Sequence, residues 1–317
     1  MAVYTQVSAE AASALLARYN VGKLTAMKGI AEGVENSNFL IETDQSRFIL
    51  TLYESRTNPA DLPYFHDLLA HLHAQGCLVP RFIEDREGNW LQDVAGRKAC
   101  LIEFLSGVSV SEPQPAMAHN VGQALGAMHK ALDGFDKSRP NPLGLSDWRP
   151  LFDKCNSAEC EKLLSGLSAR IEQECDYLER NWPANLPLSA IHADLFPDNV
   201  LTLEGEVTGL IDFYFACTDA RAFDLAVTHS AWSFNTDGSV YNPAIGDAVV
   251  AGYLNRMDLH AAERSALPIL ARGACLRFLL TRLYDWINTP AGAMVSRKDP
   301  LAFLRRLDHY TVHGLAA

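Results

Sequence analysis

Asp194 and Asn199 stand five residues apart in the run His-Ala-Asp-Leu-Phe-Pro-Asp-Asn (192–199), and Asp212 follows in Ile-Asp-Phe (211–213). Together they offer one strong proton acceptor and two hard oxygen donors. A carboxylate can take the proton of an alcohol, and hard oxygens suit Mg2+. The chemistry that asks for this set is transfer of a phosphoryl group from a nucleotide to a hydroxyl. That reaction needs alignment and charge neutralisation more than covalent work. Asp194 is then the base, and Asn199 and Asp212 are the metal ligands. His192 joins the catalytic loop as an orienting residue and not as a base. The competing reading is turn chemistry, because Asp and Asn after an apolar strand often satisfy their own backbone. The joint spacing of the four residues favours the site.

The residues around these three explain how they could meet. Residues 200–203 and 207–211 are short and apolar or alternating, joined by Glu204-Gly205, and read as a hairpin. Such a hairpin folds Asp212 back beside Asn199, so that both can reach one ion.

Further out, the chain reads as an α+β fold of two lobes, residues 1–105 and 106–317. In the first, strands are expected at 39–43, 48–53, 78–83, 90–92 and 98–104, forming a five-stranded antiparallel sheet. A short helix is expected at 9–19, and a second where Leu62, Phe65, Leu68, Leu69 and Leu72 recur at helical spacing before Gly76. The second lobe is mainly helical. Met117, Val121, Leu125, Met128 and Leu132 make one stripe, and Leu163, Leu164, Leu167, Ile171 and Leu178 another. Residues 223–234 and 264–287 also read as helices, with Pro268 in an early turn. The first lobe is assigned to the nucleotide, the second to catalysis and the acceptor.

On the nucleotide side, Gly33, Asn36, Ser37 and Asn38 lie in a Gly-, Ser- and Asn-rich segment whose backbone N–H groups could approach phosphates. The alternative is a plain turn. Glu103 and Leu105 lie where the last strand reaches the lobe boundary, a position from which backbone groups could meet an adenine edge.

Composition narrows the partners. A net charge of −11 argues against nucleic acid, whose phosphates need concentrated Lys and Arg. No stretch approaches the roughly 20 apolar residues that span a bilayer, so no membrane partner is expected. The first residues show no basic segment followed by an apolar core, and a cytoplasmic protein is expected. Seven cysteines form no C-x-x-C pair, which suits reduced thiols and no zinc site. The two histidines of His71-x-His73 point to different faces of a helix and are not read as ligands.

The stretches 192–199 and 211–213 resemble the aminoglycoside phosphotransferase and choline kinase superfamily, relatives of the protein kinases. Residues 33–39, 48–54, 211–217 and 276–286 further resemble the bacterial homoserine kinase branch. The resemblance implies a protein-kinase-like fold, with ATP and Mg2+ as cofactors. It also implies L-homoserine as the small-molecule substrate, phosphorylated on its side-chain hydroxyl in a step toward threonine. One departure stands out. Most of the superfamily has a phosphate-binding Lys where this chain has Thr51, and its helix partner, normally Glu, falls near Phe65. Arg47 or Lys28 would have to serve the phosphates instead.

For a zwitterionic acceptor, Arg277, Arg282 and Asp285 on one helix, with Tyr214 beside the metal ligand, are the candidate contacts. The plain alternative for Arg282 and Asp285 is an ion pair three residues apart on a surface. Two rivals stay open: a kinase for choline, methylthioribose or an aminoglycoside, and a catalytically inactive nucleotide-binding module.

Overall fold

The structure, a computed structural model, describes residues 4–30, 36–54, 57–289 and 297–317. It divides into two compact units, Met1–Ser106 and Gly107–Ala317.

The N-terminal unit runs α1 (Ala9–Leu16), β1 (Leu24–Ile30), β2 (Ser37–Thr43), β3 (Arg47–Leu52), α2 (Leu62–Ala74), β4 (Gln92–Val94) and β5 (Arg97–Glu103). Its sheet has five strands in the order β1-β2-β3-β5-β4, and every pairing is antiparallel. Alternation sets the faces: Phe39 and Ile41 of β2 and Phe48, Leu50 and Leu52 of β3 point into one core with Leu15, Leu16 and Leu101. The stripe Leu62, Phe65, Leu68, Leu69 and Leu72 is the buried side of α2.

Five antiparallel strands are present, but not the five expected. Residues 24–30 form the edge strand β1, while 78–83 contribute only an isolated bridge from Phe82 to Ile102. Pro80 has no N–H to give a ladder.

The C-terminal unit runs β6 (Val108–Ser109), α3 (Pro115–Ala131), α4 (Leu145–Phe152), α5 (Ser157–Leu163), α6 (Leu167–Asn181), β7 (Leu188–Ile191), β8 (Val200–Leu203), β9 (Glu206–Leu210), β10 (Cys217–Ala220), α7 (Arg221–Trp232), α8 (Pro243–Leu254), α9 (Ala261–Asn288) and α10 (Leu301–His313). Strands β6, β8 and β9 form one small sheet, and β7 and β10 another. The long helix α9 packs against α4, α6, α7 and α10. Helix α7 is buried from Ala222 to Trp232 and carries Asp224, Thr228, His229 and Ser230 into the core with its apolar residues.

The contact of α3 with α8 is backbone to backbone. A Cβ on Gly122 would lie 2.1 Å from the Val249 carbonyl oxygen, and one on Gly252 would lie 2.0 Å from that of His119. Only glycine permits that approach.

The stripe over residues 163–178 spans two helices, broken at Gly166 with φ +80°. Pro268 lies inside α9, among its earlier residues. Helices α4, α8 and α10 were not anticipated.

Candidate active site

The catalytic loop leaves β7 at Ile191 and enters β8 at Val200. Strand β8 turns into β9 through Glu204 and Gly205, both at positive φ, the requirement of a tight hairpin. Val200 pairs with Leu210, and the Ile211 N–H donates to the Asn199 carbonyl at 3.0 Å. Pairing therefore continues to the residue before Asp212, which places Asp212 next to Asn199 for covalent reasons.

Ala193, immediately before the candidate base, has φ +64°. A non-glycine residue in that region is strained and persists only where its surroundings enforce it. Two buried charges do so. The Ala193 N–H donates to Asp224 Oδ1 at 2.8 Å, and the His192 N–H to Asp224 Oδ2 at 2.7 Å. On the other side, Arg277 donates through Nη1 to the Ala193 carbonyl.

Asp224 is itself fully buried and bonded to His129 Nε2 at 3.0 Å, while His129 Nδ1 meets the Tyr253 hydroxyl at 2.9 Å. Burial works against ionisation of Asp224, yet the hydrogen bond and charge of His129, with His192, outweigh it and hold the carboxyl below its usual range. Further along the loop, Trp232 Nε1 donates to the Leu195 carbonyl at 3.0 Å. Asp194, the candidate base, is mounted on a backbone that side chains from α7 and α9 grip.

His192 completes the mounting. It is 0% exposed, and its Nε2 lies 3.0 Å from the Ile211 carbonyl. A carbonyl can only accept, so Nε2 carries the proton, and Nδ1 accepts from the Asp194 N–H at 3.3 Å. Burial lowers its pKa, which suits this neutral ring. His192 ties the base to the strand that carries Asp212 and leaves no ring nitrogen for an acceptor molecule.

Asn199 turns its amide nitrogen to Asp194, donating to the carbonyl at 2.8 Å and to Oδ2 at 3.1 Å. Its Oδ1 is then the atom able to ligate a cation. Asp212, at φ +65°, keeps an exposed carboxylate beside it. Among the described residues no cluster of three or more His, Cys, Asp or Glu side chains forms a metal cage. The Asn199–Asp212 pair fits Mg2+, which binds through one or two protein oxygens and takes the rest from phosphates and water.

The Asp194 carboxyl is raised to about 8, by burial first, with Asp212 and Asp198 pushing the same way and Arg277 and Lys298 opposing. Asp212 is raised to about 6, again by the protein packed around it and by Asp198, with Lys298 and the Tyr214 N–H opposing. Asp212 is still open to solvent, so its shift comes from surrounding protein mass and not from closure. Carboxylates crowded together this way are poised for a cation.

The other expected residues divide. Tyr214 is half-buried in the turn Phe213–Phe215 that follows Asp212. Arg282 is mostly buried, stands over the Phe303 ring at 4.5 Å and reaches the Asp299 carbonyl at 3.4 Å. Asp285 is half-buried one turn further along α9. Arg277 corrects its expected role. At 1% exposure, against Ala193, it braces the loop and is not placed to meet an acceptor.

In the N-terminal unit, Gly33 lies outside the described residues. For Asn36, Ser37 and Asn38 the expectation concerned their backbone N–H groups; their side chains bond within the N-terminal unit. Asn36 Oδ1 accepts from Thr57 Oγ1 at 3.1 Å, and Ser37 Oγ accepts from the Tyr4 and Thr5 N–H groups and donates to Glu54. Asn38 Oδ1 accepts from the Thr51 hydroxyl at 2.8 Å. Thr51 and Phe65 are both buried and neutral, at 2% and 1% exposure, so neither half of a Lys–Glu pair is present at those positions. Glu103 pairs with Arg81 and also gives its N–H to the Arg81 carbonyl. Arg47 is exposed and stands over the Phe104 ring at 4.3 Å. Leu105, half-buried, follows directly.

Sequence reasoning missed Asp224, and also His129 and Lys298. The available signal for Asp224 was an acid in the otherwise apolar run Ala-Phe-Asp-Leu-Ala-Val (222–227). A buried carboxylate must have partners.

The fold and its loop define a class first. A model of the phosphotransferase enzyme family matches residues 26–264. The fold is kinase-like: an amicoumacin kinase solved with AMP-PNP and Ca2+ superposes with a TM-score of 0.72 at 14% identity, over 97% of this chain and 94% of that one. A microcompartment-associated aminopropanol kinase gives 0.69 at 18% identity, over 96% and 94%. Curated relatives then narrow the class. The homoserine kinase of Agrobacterium fabrum is 48% identical over 100% of this chain and 98% of its own length. That of Azorhizobium caulinodans is 49% identical over the whole of both, and that of Gluconobacter oxydans is 48% identical over 98% of each. The chain belongs to the phosphotransferase enzyme family and, within it, to the homoserine kinases.

Proposed function

We propose that this enzyme transfers the γ-phosphoryl group of ATP to the side-chain hydroxyl of L-homoserine, a step toward threonine. The observation that carries the reading is the full-length similarity to homoserine kinases, joined to one loop that holds Asp194, Asn199 and Asp212 together. Asp194 accepts the hydroxyl proton while the substrate oxygen forms its bond to phosphorus and the bond to the ADP oxygen breaks. Asn199 keeps Asp194 Oδ2 in place through its amide nitrogen and, with Asp212, holds the metal through oxygen. Bound there, Mg2+ supplies neutralisation of the triphosphate charge. The N-terminal unit takes the nucleotide through backbone groups at Phe104–Leu105, since the N–H of Glu103 is already given away. Arg282, with Asp285 and Tyr214, receives the amino acid; a mostly buried guanidinium with no carboxylate ion pair among the described residues is suited to a substrate carboxylate. The intact base argues against an inactive nucleotide-binding module.

The test is ADP release by purified protein with ATP, with and without Mg2+, against L-homoserine, L-serine, choline, an aminoglycoside and 3-aminopropan-1-ol. Metal-dependent turnover of homoserine is expected. The amino alcohol, lacking the carboxylate, should lose roughly 30-fold or more in kcat/KM, the cost of leaving a buried charge unpaired. Equal use of homoserine and 3-aminopropan-1-ol would sink the carboxylate contact, and preference for choline or an aminoglycoside would overturn the substrate.

A further inference from the structure

Neither Thr51 nor Phe65 brings charge to the phosphates, and a triphosphate meets three carboxylates here: Asp194, Asp198 and Asp212. Three cations in the C-terminal unit lie near them. Arg277 is buried and committed to Ala193. Arg282 is stacked on Phe303 and directed to the Asp299 carbonyl. Lys298 is different. Its Nζ lies 3.4 Å from Asp198 Oδ2, on the catalytic loop itself and one residue before Asn199. The same ammonium lies 5.9 Å from the ring centroid of Phe196, two residues after the base.

The residues on either side of Lys298 are tied down by their side chains: Arg297 Nη1 donates to the Trp286 carbonyl at 3.1 Å, and Asp299 Oδ1 accepts from the Leu301 N–H at 2.9 Å. The ion pair with Asp198 is loose and 61% exposed at both partners, so it contributes little to stability. Its reach is chemical: the Lys298 charge opposes the upward shifts of both Asp194 and Asp212.

We propose that Lys298 is a catalytic residue, whose ammonium leaves Asp198 to contact the non-bridging oxygens of the phosphoryl group in transit. This rests on the phosphotransfer reading above. Lys298 keeps its three protons throughout and supplies only positive charge; the hydroxyl proton still goes to Asp194. An exposed, jointed cation beside a rigid base is the arrangement that can follow a group as it moves between two oxygens.

The experiment compares K298M and K298R with the wild type in homoserine phosphorylation and in the slow hydrolysis of Mg·ATP without acceptor. K298M should lose about 10²–10³-fold in kcat, as removal of one transition-state donor does, with homoserine KM changed less than about threefold. Acceptor-free hydrolysis should fall in parallel, and K298R should recover most of both. Thermal unfolding should not move. Unchanged kcat in K298M overturns the proposal. So does a raised homoserine KM with hydrolysis untouched, which would make Lys298 an acceptor anchor. If the wild type ignores homoserine, the substrate assignment fails, but the hydrolysis comparison still decides the role of Lys298.

Discussion

Polar residues of similar kinds occupy two places in this molecule and do opposite work. At the strand pair β2–β3, Ser37 Oγ is engaged by two backbone N–H groups and by Glu54, and Asn38 and Thr51 bond each other. These side-chain oxygens bond within the N-terminal unit. In the catalytic loop, the backbone is held from outside by Asp224, Arg277 and Trp232, and from within by His192. Asp194 therefore need not satisfy its own turn, while the Asp212 carboxylate also takes the Tyr214 N–H. Residue type marks a possible site; which atoms remain after the fold has taken its share decides whether it is one.

The sharpest way to break this contrast is at Asp194. Asp194→Asn preserves shape and can keep a hydrogen bond to Asn199, but it has no basic oxygen. We expect kcat to fall about 10²–10⁴-fold, the usual worth of a general base, with a melting curve close to that of the wild type. Steady-state assays beside circular dichroism check both halves. A variant with near-normal turnover would remove Asp194 from the chemistry.

A smaller effect tests the outside grip. Asp224→Asn can turn one oxygen to the Ala193 or His192 N–H, but its amide nitrogen then faces the other donor. We expect a loss of about 2–4 kcal/mol, as when a charged acceptor is removed from buried donors, and a fall in kcat of about tenfold or more as Ala193 relaxes. The pH dependence has a definite sign. Asp224 is held below the usual carboxyl value of about 3.9. Its contribution is therefore fully present above about pH 4 and is lost as pH falls through the folded value. Urea unfolding at pH 7 and at pH 3.5 should show the gap between wild type and variant narrowing at the lower pH. A gap that widened on acidification would contradict this account.

The same contrast explains what the sequence disclosed. The spacing of Asp194, Asn199 and Asp212 was legible because a hairpin with Glu204-Gly205 at its turn fixes Asp212 locally. The stripe of α2 was legible because one face is buried. Strand β1 was not, since its half-exposed pattern lacks clean alternation. Helix α10 depends on packing against α9 and carries a mixed sequence. Asp224, and the bracing role of Arg277, escaped for a different reason. Their partners are backbone atoms of residues 31 and 84 positions away, and a backbone partner leaves no side-chain signature.

The smallest expected effect lies in the sheet. Thr51→Val keeps the branched shape a strand favours, and it removes the hydroxyl that donates to Asn38. Asn38 Oδ1 loses its partner, which should cost about 1 kcal/mol and lower the melting temperature by a few degrees. The KM for ATP should stay within about twofold, because a side chain already committed inside the sheet contributes no charge to a phosphate. Differential scanning fluorimetry and an ATP titration at saturating homoserine measure the two quantities on one preparation. If stability held while the KM for ATP rose about tenfold, a loss of near 1.4 kcal/mol in nucleotide binding, Thr51 would belong to the nucleotide site. The distinction between committed and available polar atoms would then fail in the N-terminal unit.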